Sequence, residues 1–326
     1  MGLFEYSEEN IKISSSIIQI LGISLPFVSI SIVTQFFLQG IKKAWISSWF
    51  VLVANIINIS LCWLLIKGNL GFPELGAIGV AISTTSVRIF LGLGTVAYIF
   101  LNKKYKIFFE KKDVQHQEVT KLQKKLGIAA TSNLLSVESS NLFSVFFISV
   151  INVTIVAAYT LSYRVFIIGS LISVSFAVSC SILMSSGIAH KDISKIKKII
   201  LSCLRINNIF MFIICILIFA LAPQIANILA KEETLAAQTT PFLRIISFLL
   251  FFNGLYIILI ICLRALHDLL IPSIITFLLF AVYVPMFSVF FASEAIQVTY
   301  FLLSANIIVS AALMSRLLYL FPRYKF

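Results

Sequence analysis

The chain has 326 residues, of which 60% are hydrophobic and only 12% charged, and its mean hydropathy is +1.04. Soluble domains are roughly 45–50% apolar and about 25% charged, so a water-soluble core could not absorb this sequence. The net charge of +12 does not point to nucleic acid, because the cations are confined to short connectors between apolar runs.

A bilayer core needs about 20 apolar residues per spanning helix. Nine segments qualify, at 13–40, 45–67, 76–101, 126–151, 156–187, 199–222, 238–263, 270–292 and 296–320. Their apolar runs are continuous rather than alternating, which selects helices over a barrel. The expected fold class is therefore an all-α, polytopic membrane bundle of about nine transmembrane helices. Punctuation falls between the spans, at Gly40, at Gly71-Phe72-Pro73, at Pro223 and at Pro272. Pro26 and Pro285 fall inside spans, where kinks are tolerated if neighbours re-satisfy the backbone.

Assigning alternate sides to the connectors puts 19 of the 25 Lys and Arg on one side, including Lys42, Lys43, Lys103, Lys104, Lys121, Lys191, Arg264 and Arg323. Lys12, Lys67, Lys231 and Arg244 lie on the other, and Arg88 and Arg164 lie within spans. The positive-inside rule then predicts a cytoplasmic C-terminus, an exterior N-terminus and a multi-pass protein of the plasma (inner) membrane. The longest connector, Asn102 to Lys125, is basic and divides the spans three plus six. It reads either as a membrane-surface helix or as a solvated charged loop. The five cysteines all sit in apolar runs without metal or disulfide spacing, and read as small buried hydrophobes.

One acidic residue, Glu138, lies deep in a span. A carboxylate there costs about 2.5–3.5 kcal/mol on insertion scales and is functional by default. Helical spacing puts Thr131 and Asn141 on its face. Proton or cation binding is one reading, and an ion pair with Arg164 in the next span is the other. Asn253 is either an oxygen ligand or an interhelical hydrogen-bond donor. Arg88, well inside its span, has no acid beside it in the chain. The 30 phenylalanines suit lipid contact and packing better than a cation-binding cage. His116, His190 and His267 fall in connectors, and no nucleotide loop, catalytic triad or metal motif is present, so an enzyme is not expected.

Residues 35–84 contain Phe37-Leu38-Gln39-Gly40, a basic turn, Asn55-Ile56-Ile57-Asn58-Ile59, and the run GNLGFPELGAIGVAIST. Together with Ala157-Ala158-Tyr159, Ser185-Ser186-Gly187 and the Leu263-Arg264 to Asp268 turn, this stretch resembles multidrug and toxin extrusion (MATE) transporters. The resemblance implies two pseudo-symmetric lobes, alternating access driven by sodium or protons, and organic-cation cargo. It places 1–102 as family helices four to six, a partial N-lobe; 103–125 as an inter-lobe linker; and 126–326 as the C-lobe, helices seven to twelve. A missing N-terminal segment or a second chain is then an expected partner, besides the bilayer and a small organic cation. No cofactor is expected beyond the coupling ion, H+ or Na+.

By the same resemblance, cation-coupling and substrate roles are expected at Glu138, Asn253, Asn58 and Thr84, with Asn141 and Thr131 added because helical spacing puts them on the Glu138 face. From their depth in the spans, Arg164 and Arg88 are candidate intramembrane charge partners, Arg164 for Glu138 and Arg88 for an absent segment, an anionic substrate or a lipid headgroup. Asn253 and Leu249 replace an aspartate and a tyrosine of sodium-coupled members, which favours protons, and Cys62 replaces an Asn or Asp. The alternatives are a lipid-linked oligosaccharide flippase of the same superfamily, which the two intramembrane arginines favour, and a non-transporting remnant or subunit.

Overall fold

A computed structural model describes residues 8–108, 116–230 and 232–321. Among them are eleven α-helices: α1 (Glu8–Gly40), α2 (Ala44–Lys67), α3 (Gly76–Leu101), α4 (His116–Ile151), α5 (Val153–Ala189), α6 (Ile193–Ala220), α7 (Ala222–Leu229), α8 (Glu233–Ala265), α9 (Leu270–Thr276), α10 (Val284–Phe291) and α11 (Ala295–Leu320). A π-helical stretch, Phe277–Tyr283, joins α9 to α10 into one spanning element. Nine helical segments among the described residues are long and apolar enough to cross a membrane, matching the nine expected spans. The chain divides into two units, Met1–Val114 and Gln115–Phe326. Part of the expected linker is helical, since α4 already begins at His116. Lys111, Lys112, Lys231, Arg323 and Lys325 lie outside the described residues.

In the first unit α3 packs on both α1 and α2, and small residues set the spacing. A Cβ on Gly92 would lie 2.8 Å from the Phe27 carbonyl oxygen of α1, and one on Gly79 would lie 2.7 Å from the Leu65 carbonyl of α2. Lipid supplies no hydrophobic force between helices, so close backbone approach and hydroxyl bonds take its place. Thr34 and Thr95 share a 2.7 Å hydrogen bond, and the Thr85 hydroxyl donates to the Ile20 carbonyl. Trp45, Trp49 and Trp63 stand exposed towards the two ends of α2. Trp45 and Trp63 are about 27 Å apart in helix rise, close to the ~30 Å of a hydrocarbon core, which is the aromatic-belt arrangement.

The second unit is built around α8, most of whose apolar length is buried. It packs against α5, α6, α7 and α11. Ile246, Leu250, Leu259 and Cys262 of α8 interlock with Ala158, Ala177, Cys180 and Met184 of α5. Of the five cysteines, expected as buried hydrophobes, Cys180, Cys215 and Cys262 are buried while Cys62 and Cys203 are half-buried. Cys180 Sγ lies 3.5 Å from Cys262 Sγ and 3.9 Å from Met184 Sδ. Pro285 has no N–H to offer the preceding turn, and the amide of Val284 instead reaches five residues back, to Leu279.

Three helices end in one kind of turn. After α1, α5 and α8 the chain places Lys42, Lys191 and His267 at φ 60°, 55° and 61°. The next amide bonds back to Leu38, Gly187 and Leu263 respectively, at 2.8–3.0 Å. This is the Schellman closure, normally completed by glycine. Left-handed backbone costs a side chain roughly 1 kcal/mol. A cationic side chain near the helix C-terminus, as at Lys42 and Lys191, offsets part of that through the helix dipole.

Candidate functional site

Glu138 stands exposed on α4, outside the packed core. No ion pair joins it to Arg164, which is also exposed, so the structural reading of that pair is not realised. Among the described residues the salt bridge is Asp268–Arg316 at 2.8 Å. Glu138 thus stands without an ion pair among the described residues. Thr131, two turns earlier, shares its exposed face. Asn141 turns towards α5, where its Oδ1 accepts from the Tyr159 hydroxyl at 3.3 Å. Tyr159 stacks on Tyr163, with ring centroids 5.9 Å apart.

Asn253 lies elsewhere, 6% exposed inside the second unit, and donates to Asn306 Oδ1 of α11 at 3.3 Å. The interhelical donor reading therefore describes its geometry. Around it runs a neutral polar seam that the sequence reading passed over. The Ser173 hydroxyl donates to Asn207 Oδ1 at 2.8 Å, and the Tyr256 hydroxyl donates to Asn133 Oδ1 at 3.0 Å. The seam exists because Gly254 leaves room: a Cβ there would meet Ser173 Oγ at 2.6 Å. Its signal in the sequence was amide side chains inside apolar runs, at Asn133, Asn207 and Asn306.

In the first unit the expected residues do not gather into one site. Asn58 Oδ1 accepts from the Cys62 thiol at 3.7 Å, and the Thr84 hydroxyl donates to its own helix at Val80. Arg88 donates to the Ser24 hydroxyl of α1 at 2.8 Å and carries no charge partner among the described residues. This contact supplies the partner that the chain sequence did not show. Among the described residues no group of three or more His, Cys, Asp or Glu stands together as metal ligands.

The described residues form a helical multi-pass bundle with a carboxylate exposed on a spanning helix and amides buried between helices. The chain belongs to the MatE family, whose model matches residues 1–64 and 129–290. It is 27% identical over 253 residues to a probable multidrug resistance protein, YoeA, of Bacillus subtilis, covering 76% of this chain and 54% of the relative. The chain thus spans about half the length of that relative. A probable multidrug resistance protein NorM of Photorhabdus laumondii is 32% identical over 99 residues, 30% of this chain and 22% of that protein. Among solved structures, a MOP-superfamily transporter from Pyrococcus furiosus superposes with a TM-score of 0.82 at 15% identity, covering 95% of this chain and 70% of that one. An outward-facing MATE transporter gives 0.81 at 14% identity, over 94% and 69%. The family's members are carriers, not enzymes, and the chain is a multi-pass membrane protein.

Proposed function

We propose that the chain works in a cation-coupled antiporter that exports organic cations across the plasma membrane by alternating access. The observation that carries this reading is Glu138: a carboxylate exposed on a spanning helix, with no ion pair among the described residues. Gaining or losing a proton or cation there changes the local charge by a full unit, and a group placed at such cost is retained for a task. Asn253 carries no proton to exchange and is engaged with Asn306, so the titratable role falls to Glu138 and favours protons over sodium. The basic connectors face the cytoplasm and the N-terminus lies outside, as the positive-inside rule requires.

The test is the Glu138→Gln variant, expressed from the native locus so that any further segment or chain is present. Efflux of a fluorescent organic cation should fall at least about 100-fold in the coupled mode, the range of losing one essential proton carrier. Unchanged efflux overturns the role. In the unsubstituted protein, efflux should collapse with an uncoupler and persist without sodium; the reverse pattern reassigns the ion. The flippase reading draws on Arg164, exposed within its span and without an ion pair among the described residues. It gains ground if Arg164→Gln abolishes lipid-phosphate translocation while organic-cation efflux is absent throughout.

A further inference from the structure

A furrow runs along the second unit between α4 and the spanning element α9–α10. It consists of two hollows of 630 and 540 Å³ that share Ile128, Ser132 and Phe277. The two elements pack against each other along their length, and Ser273 Oγ donates to the Ala129 carbonyl at 3.5 Å. The π-helical stretch contributes Phe277 and Ala281 to the wall opposite α4.

The two ends of the furrow differ chemically. Its mouth is formed by Lys125, His267 and Asp268. Asp268 is already neutralised by both guanidinium contacts of Arg316, at 2.8 and 3.3 Å. Lys125 is left uncompensated among the described residues, with Lys121 and Lys124 exposed on the same stretch of α4. The furrow's interior is predominantly apolar, lined by Ile128, Leu135 and Phe277, and the Ser136 hydroxyl is satisfied by the Ser132 carbonyl. From Lys125 to Ser139 the helix rises about 21 Å, against roughly 15 Å for one leaflet's hydrocarbon. The furrow therefore reaches from headgroup level to the bilayer midplane.

We propose that this furrow holds one anionic phospholipid of the adjoining leaflet, its phosphate at Lys125 and His267 and an acyl chain along Ile128, Leu135 and Phe277. Basic pockets between spanning helices select acidic headgroups, whereas an organic cation would be repelled at this mouth. A lipid seated here would wedge α4, the helix that carries Glu138, against the broken helix beside it.

The full chain, purified in mild detergent, is titrated with phosphatidylglycerol and phosphatidylcholine of identical acyl chains and read by native mass spectrometry. One phosphatidylglycerol should be retained, with at least about a fivefold preference over phosphatidylcholine. Lys125→Ala should lower its retention about fivefold, the worth of one cation near a headgroup, and Lys125→Arg should keep it. Ala281→Phe, which fills the furrow, should remove retention of both lipids. Lys125 is exposed, so its variants do not put folding at risk. Equal retention of the two lipids, retention indifferent to both Lys125→Ala and Ala281→Phe, or a second copy of the chain seated in the furrow would each overturn the assignment.

Discussion

The first unit and the last three spans of the second begin alike and are held together differently. In each, a long helix (α1 or α8) ends in a Schellman turn with a left-handed Lys42 or His267, and a later helix (α3 or α11) packs back on it. In the first unit that packing rests on glycine against backbone, at Gly92 and Phe27, and on hydroxyl bonds such as Thr34–Thr95. The buried apolar cluster there is small: Leu38, Ile46, Ile99 and Tyr105. In the second unit α8 is sheathed on several sides, and interlocked Ile, Leu and Cys side chains surround a seam of amides. The same helical order can thus be stabilised by close approach or by side-chain interlock. A unit held by close approach has fewer contacts to lose but tolerates less added volume.

The largest effect should come from added volume in the first unit. Gly92→Val forces α1 from α3, because the clash is with the Phe27 backbone rather than a movable side chain. We expect a loss of at least about 3 kcal/mol, the upper range for overpacking. All three tryptophans lie on α2, so a red shift of tryptophan emission reports this unit alone while far-ultraviolet ellipticity stays mostly intact. Simultaneous loss of both signals would show that the units do not differ in this way.

Leu250→Ala in the second unit should cost about 2 kcal/mol, the low end for such changes, since lipid is as apolar as the site it vacates and mainly the cavity term remains. Steric-trap unfolding in bicelles would measure it, and a cost of 4–5 kcal/mol would contradict that packing account.

Asn253→Leu should cost about 0.6–1.7 kcal/mol, because Asn306 keeps a bond to the Leu302 carbonyl but loses its amide partner. The double variant with Asn306→Leu should recover part of that loss. Strict additivity would mean the two amides do not couple.

The smallest effect sits at the start of α6. There the backbone N–H of Lys195, and then the Ser194 hydroxyl, bond to the Asp192 carboxyl and hold it below the usual carboxylate range. A depressed value means the cap stabilises fully above about pH 4 and is lost as pH falls through the folded-state value. Amide exchange at Lys195 should therefore quicken on acidification. Asp192→Asn, which caps without titrating, should abolish that pH dependence.

The sequence by itself determined the solvent, the number of spans and the family. Those follow from run length, charge and local motifs, and each can be read one segment at a time. Glu138 was visible because a single carboxylate in an apolar run is conspicuous in any fold. Tertiary structure decided the partners. It joined Arg88 to Ser24 across 64 positions, gave Asn253 to Asn306 and left Glu138 without Arg164. It also brought Cys180 against Cys262 and opened the furrow between α4 and the helix broken ahead of Pro285. Helical periodicity states which face a side chain occupies. Which other helix meets that face depends on crossing angles and on glycines such as Gly92 and Gly254, whose effect appears only when two backbones are brought together.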